Sequence, residues 1–249
     1  MRSVAAGLRP VAAVVLDVEG TVGSIDHVHG VLYPYARARL ADWFAQRRGT
    51  GHHATLLAEV RALTGDPGLD EAEVVSALVK WSDGDVKAQP LKSVQAMIWA
   101  EGYASGLLEG HVYPEVPAVL DRWRQLGIAC YIYSSGTRAA QRNWFAHSNF
   151  GDLTALLNGY FDLAVAGSKR EAESYRAITR TIQVPPNATV FLSDVREELD
   201  AAALAGWQTI GVRRAGDPRG ATVQGYQTLN SLDDIQLLPG GQDEWNGKS

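Results

Sequence analysis

Short apolar runs, too brief to be helices, recur along this chain: AAVVLD (Ala12 to Asp17), IACYIYS (Ile128 to Ser134), FDLAVA (Phe161 to Ala166), TVFLSD (Thr189 to Asp194) and WQTIGVR (Trp207 to Arg213). They are continuously apolar rather than alternating, which predicts strands covered on both faces. Between them lie helical patterns at Pro117 to Leu126, Arg138 to His147, Ser174 to Ile182 and Glu197 to Ala205. Gly127 and Gly206 follow two of these, where a helix end favours a left-handed residue. Strands alternating with helices predict an α/β fold, a Rossmann-like doubly wound parallel sheet.

One stretch breaks the rhythm. Between residues 22 and 112 no buried strand is evident, and helical patterns run over Ala36 to Arg48, Ala54 to Leu63, Glu71 to Trp81 and Leu91 to Leu108. The chain therefore reads as a catalytic core over 1–21 and 113–249 with a helical insertion over 22–112. The tail from Pro239 has little to bury and is expected to fray.

The totals exclude several functions. Of 249 residues, 23 are basic and 28 acidic, and the basic pairs Arg47–Arg48 and Arg213–Arg214 stand apart, so no nucleic-acid-binding face is expected. Cys130 is the single cysteine, which rules out a disulfide framework or a cysteine metal cluster. Arg9 and Pro10 interrupt the N-terminal apolar run before it reaches signal-peptide length, and no uncharged stretch is long enough to span a membrane. A cytoplasmic protein without membrane partners is the expectation.

In an open parallel sheet, ligands sit beyond the carboxyl ends of the strands. The first run ends on Asp17 with Glu19 one residue further, the second on Ser134, Ser135 and Gly136, and the fourth on Ser193 and Asp194, while Lys169 follows the third. Asp17 and Asp194 supply hard oxygen donors suited to one magnesium ion, which takes one or two carboxylates plus substrate phosphate. Lys169, the Ser134 hydroxyl and backbone N–H groups near Gly136 suit phosphate oxygens. A carboxylate also attacks phosphorus, splitting one difficult displacement into two. The set reads as magnesium-dependent phosphoryl transfer.

The order DVEGT, SSG, lysine, LSD resembles the haloacid-dehalogenase-like hydrolases. Longer runs, among them VEGTVGSIDHVHGVLYPYA, LKSVQAMIWAEGYASG, GHVYPEVPAVL and SDVREELDAA, resemble the enolase-phosphatases of methionine salvage over most of residues 12 to 214. The resemblance implies Asp17 as nucleophile and metal ligand, and Glu19 as acid/base residue assigned also to the metal. Ser134 and Ser135 become substrate contacts, Lys169 the phosphate-stabilising lysine and Asp194 the remaining metal ligand. It further implies a cap formed by the insertion, a monomer, and the substrate 2,3-diketo-5-methylthiopentyl-1-phosphate, enolised and then dephosphorylated to the acireductone. Val22 and Gly23 depart from the family's Thr or Ser, a change expected to loosen hydrogen bonding in that loop while removing no ligand.

Rival readings are another magnesium-dependent phosphatase or a haloacid dehalogenase of the same superfamily, and a non-catalytic phosphometabolite-binding protein. His27 and His29 lack a second metal-ligating cluster, and no GxSxG, GxxxxGK or GxGxxG motif occurs. Trp81, Trp99 and Tyr103 are expected in the core of the insertion, with Trp99 or Tyr103 as the candidate lining for an apolar thioether tail.

Overall fold

The computed structural model describes residues 7–240. Residues 1–6 and 241–249 lie outside the described residues, so the tail expected to fray from Pro239 is seen only at its start, where Pro239 bridges Val11 and Gly240 N–H donates to Val11 O at 2.9 Å. The chain divides into two compact units, Met1–Ile25 with Gly110–Ser249, and Asp26–Glu109.

The first unit is built on a six-stranded, wholly parallel sheet of β1 (Ala13–Leu16), β2 (Ala129–Tyr133), β3 (Gly159–Phe161), β4 (Thr189–Ser193), β5 (Gln208–Val212) and β6 (Thr228–Leu229). Their spatial order is β3-β2-β1-β4-β5-β6. β1 lies inside the sheet, with Leu16 opposite both Ile132 and Leu192, so the residues ending three strands emerge side by side. Every residue of β1 and β4 is buried, as their unbroken apolar composition requires. Tyr133, Tyr175, Phe191 and Trp207 pack edge to face within one core cluster.

The sheet differs from the expected one in two places. The third strand covers Gly159–Phe161 and so ends on the first residue of the apolar run FDLAVA. Asp162 turns the chain there, its carboxylate accepting from the N–H groups of Val165 and Arg138, both at 3.0 Å. Leu163 and Val165 consequently lie exposed rather than in the sheet. The short edge strand β6 has no apolar run to announce it.

The second unit holds α1 (Ile25–His27, beginning at the boundary), a π-helical turn over Val28–Leu32, α2 (Tyr33–Gln46), α3 (Gly51–Thr64), α4 (Glu71–Asp83) and α5 (Gln89–Ala104). On α2, Ala36, Leu40, Trp43 and Phe44 recur at helical spacing and are buried with Leu56, Val60, Val74, Leu78, Val94 and Ile98. Asp70 and Glu73 form a reciprocal capping box that starts α4. The expected helix Leu91 to Leu108 stops at Ala104, where Ser105 caps it. Tyr103 is buried, and the Trp99 indole donates to Leu32 O at 2.7 Å. His27 contacts the carbonyl of Glu109 at 2.9 Å.

The remaining helices, α6 (Val116–Gln125), α7 (Arg138–Ala146), α8 (Ala172–Ile182) and α9 (Arg196–Leu204), belong to the sheet unit. Each shows the sheet an apolar stripe, for example Val116, Val119, Leu120 and Trp123 on α6. Among the described residues, no helix is long and apolar enough to cross a membrane.

Candidate active site

β1 delivers Asp17 into a tight loop. The Val18 carbonyl accepts from the N–H groups of Thr21, Val22 and Gly23, and Gly20 N–H donates to Gly23 O at 2.8 Å. Gly20 has φ +79°, and a Cβ there would stand 2.4 Å from Asp194 Oδ2. Gly23 is confined differently: a Cβ would come within 2.8 Å of both His111 O and the Trp144 ring. The loop at Val22 and Gly23 is closed and hydrogen-bonded, with Val22 fully buried.

Asp17 is buried, and both its carboxylate oxygens are held. Lys169 Nζ donates to Oδ1 at 2.5 Å and the Thr21 hydroxyl to Oδ2 at 2.9 Å. Lys169 also meets Glu198 Oε2 at 2.7 Å, and the Ser193 hydroxyl donates to the same oxygen at 2.8 Å. The Lys169 backbone is fixed in turn, since Tyr175 OH donates to its carbonyl at 2.8 Å.

The electrostatics follow from this burial. Desolvation disfavours the Lys169 charge, but Asp17 and Glu198 outweigh it and hold the ammonium protonated well above its usual range. Burial pushes the Glu198 carboxyl up to about 7, with Lys169 pulling down and Asp17 pushing up. Burial and then the Asp17 charge raise Asp194 to about 6, against the pull of Arg219 and Lys169.

Asp194 ends β4 beside Asp17 and is 2 % exposed. Its Oδ2 pairs with Arg219, while its buried Oδ1 has no hydrogen-bond partner. An orphaned carboxylate oxygen next to a second carboxylate fits a hard divalent cation that also takes phosphate oxygens. Among the described residues, no group of three or more His, Cys, Asp or Glu side chains is placed to hold a metal. Glu19 lies past the strand end, half-buried, in a backbone bridge with Gly23.

At the end of β2, Ser134 is buried and its hydroxyl accepts from Gly136 N–H at 3.2 Å, whereas Ser135 is exposed. Thr137 caps α7, and the Gln141 amide ties Gly136 O and Phe161 O together at 2.7 and 2.9 Å. The structure thus brings Asp17 and Lys169 into direct contact and sets Asp194 against the Gly20 turn.

Sequence reasoning missed Glu198, Thr21 and three arginines. Glu198 stands four residues after Asp194, one helical turn on, the spacing that would have flagged it. Arg214 Nε donates to Thr21 O at 2.8 Å, pairs with Glu115 and lies over the Tyr113 ring. Arg213 Nη1 lies 3.9 Å from Asp194 and 3.4 Å from Asp217. A pair of arginines after β5 carried no signal beyond its charge.

A family model described as haloacid dehalogenase-like hydrolase matches residues 11–206. The chain is 44 % identical over 225 residues to an Enolase-phosphatase E1 of Nocardia farcinica, covering 90 % of this chain and 96 % of the relative. It is 46 % identical over 206 residues to an Enolase-phosphatase E1 of Streptomyces avermitilis, covering 83 % and 86 %. Among solved structures, the Unknown transcript 4 protein of Saccharomyces cerevisiae superposes with a TM-score of 0.73 at 30 % identity, covering 88 % of this chain and 97 % of that one. CbbY from Rhodobacter sphaeroides shares the fold, with a TM-score of 0.58 at 18 % identity and coverage of 89 % and 95 %.

Proposed function

Because the chain belongs to the haloacid dehalogenase-like hydrolases and, among them, to the enolase-phosphatases, we propose that it converts 2,3-diketo-5-methylthiopentyl-1-phosphate to the acireductone and phosphate in methionine salvage. The observation that carries this reading is the buried Asp17–Lys169–Glu198 chain at the end of β1, set beside Asp194. We further read the enzyme as a cytoplasmic monomer.

In the phosphatase step an Asp17 oxygen forms a bond to phosphorus while the bond from phosphorus to the substrate oxygen breaks. Water then cleaves the acyl phosphate, restoring the carboxylate and releasing phosphate. Thr21 and Lys169 fix the direction of the carboxylate, and Lys169 offsets charge that develops on the phosphoryl oxygens. Glu19 is the candidate to protonate the departing oxygen and later take a proton from water. Ser134 and the N–H groups leading into α7 are candidate contacts for the phosphate.

Magnesium is the cofactor this site suits, with Asp17 and Asp194 as its protein carboxylates. When bound, it supplies positive charge to phosphoryl and enolate oxygens. Enolisation and phosphate release then share one set of charge-stabilising groups.

The test follows acireductone absorbance and free phosphate separately with the diketone phosphate as substrate. Asp17→Asn is expected to lower phosphate release by about 10⁴-fold or more. Near-normal release by that variant overturns the assignment.

A further inference from the structure

Asp194 presents two oxygens in unequal circumstances. Oδ2 is ion-paired with Arg219, with Arg213 Nη1 3.9 Å away, whereas Oδ1 is buried without a hydrogen-bond partner. Arg219 is itself gripped from behind: its Nη2 lies 2.7 Å from Asp217 Oδ2, its Nε donates to Asp217 Oδ1 at 3.0 Å, and its backbone N–H donates to the same oxygen at 2.8 Å. One guanidinium thus bridges two carboxylates, and a Cβ built on Gly20 would stand 3.5 Å from its Nη2. It therefore abuts the loop that carries Asp17.

The two ends of this bridge differ in freedom. The Asp194 side chain is 2 % exposed, and that of Arg219 40 %. Asp194 cannot move without disturbing β4, but Arg219 can release it and stay bound to Asp217. Exchange of one cation for another then leaves both carboxylates neutralised.

We propose that Arg219 is a positioning residue for the metal site: through Oδ2 its guanidinium neutralises Asp194 in the absence of a divalent cation, and it loosens that hold when the cation takes Oδ1. The inference rests on the reading of Asp194 as a metal ligand. Its consequence is that residue 219 sets how tightly the site takes magnesium, because the resident positive charge opposes the incoming one. A surface ion pair with a purely structural role would leave cation affinity where it is.

The experiment is calorimetric titration of the whole protein with magnesium chloride, without substrate. Arg219→Gln is expected to bind magnesium about three- to ten-fold more tightly than the unmodified protein, a range set by a partly solvated charge pair. Arg219→Lys keeps the charge without the fork that spans both carboxylates, and is expected to fall between them. Arg176→Gln, on the exposed face of α8 where Arg176 pairs with Glu173, is expected to leave affinity unchanged and controls for net charge. Equal or weaker magnesium binding by Arg219→Gln, in a protein whose unmodified form binds magnesium and releases phosphate, overturns this inference alone. An unmodified protein that neither binds magnesium nor releases phosphate overturns the functional reading and this inference with it.

Discussion

At Lys169 an ammonium group lies between the carboxylates of Asp17 and Glu198, all three side chains no more than 12 % exposed. At Arg48 in the helical unit, a guanidinium with 69 % of its side chain exposed meets Glu71, which also contacts His53. Each joins a cation to carboxylate in a cluster of three side chains, yet water treats them differently. Around Arg48 the solvent screens the attraction and accepts any partner that breaks away. Around Lys169 no such refuge exists, so each charge depends on the others. Buried ionic networks hold geometry, and exposed ones trim stability.

Substitutions that break one member test this contrast. The largest effect is expected at Lys169→Met, which strands two buried carboxylates. Stability should fall by about 3–5 kcal/mol, measured by urea unfolding, and phosphate release by about 10²- to 10³-fold. A fully stable variant would show that the two carboxyls neutralise each other by sharing a proton.

An intermediate effect is expected at Gly20→Ala, which alters no charge but forces a Cβ toward Asp194 at a φ that L-residues rarely adopt. The cost should be about 1–3 kcal/mol, with weakened magnesium binding in a titration. Unchanged affinity would show that Asp194 tolerates displacement.

The smallest effect is expected at Glu71→Gln. Arg48 and then His53 hold the Glu71 carboxyl down at about 2. Its folded value lies below its unfolded one, so its contribution is present above the ordinary glutamate range and fades as pH falls from about 4.5 to about 2. The difference in melting temperature between this variant and the unmodified protein should therefore be small at pH 7 and shrink to a fraction of that value by about pH 2. A difference undiminished at pH 2 would assign the effect to packing.

The same contrast decides what the sequence reveals. β1 and β4 were legible because a strand covered on both faces must be apolar throughout, and Asp17 and Asp194 because they end those runs. β3 was misplaced because FDLAVA is equally apolar but turns at Asp162 and leaves Leu163 and Val165 in solvent. Lys169 and Arg170 are adjacent basic residues in the sequence, but one is 7 % exposed and the other lies in solvent. Only the path of the chain after β3 separates them. Glu198 and Arg214 escaped notice for a related reason: a helical acid and a loop arginine are ordinary surface residues until partners distant in sequence enclose them.

The central placement of β1 bears on how the molecule is made. Ala13 has Ala129 on one side and Thr189 on the other, so the strand that leaves the ribosome early acquires its second neighbour only after most of the chain has followed. Pairings so remote in sequence slow folding and leave an apolar segment open to wrong partners in the meantime. The helical unit Asp26–Glu109 has its own core and needs no residue from later in the chain to form that core. Biosynthesis thus reverses the order of the sequence: the inserted helices have what they need to fold first, and the strand that precedes them is completed late.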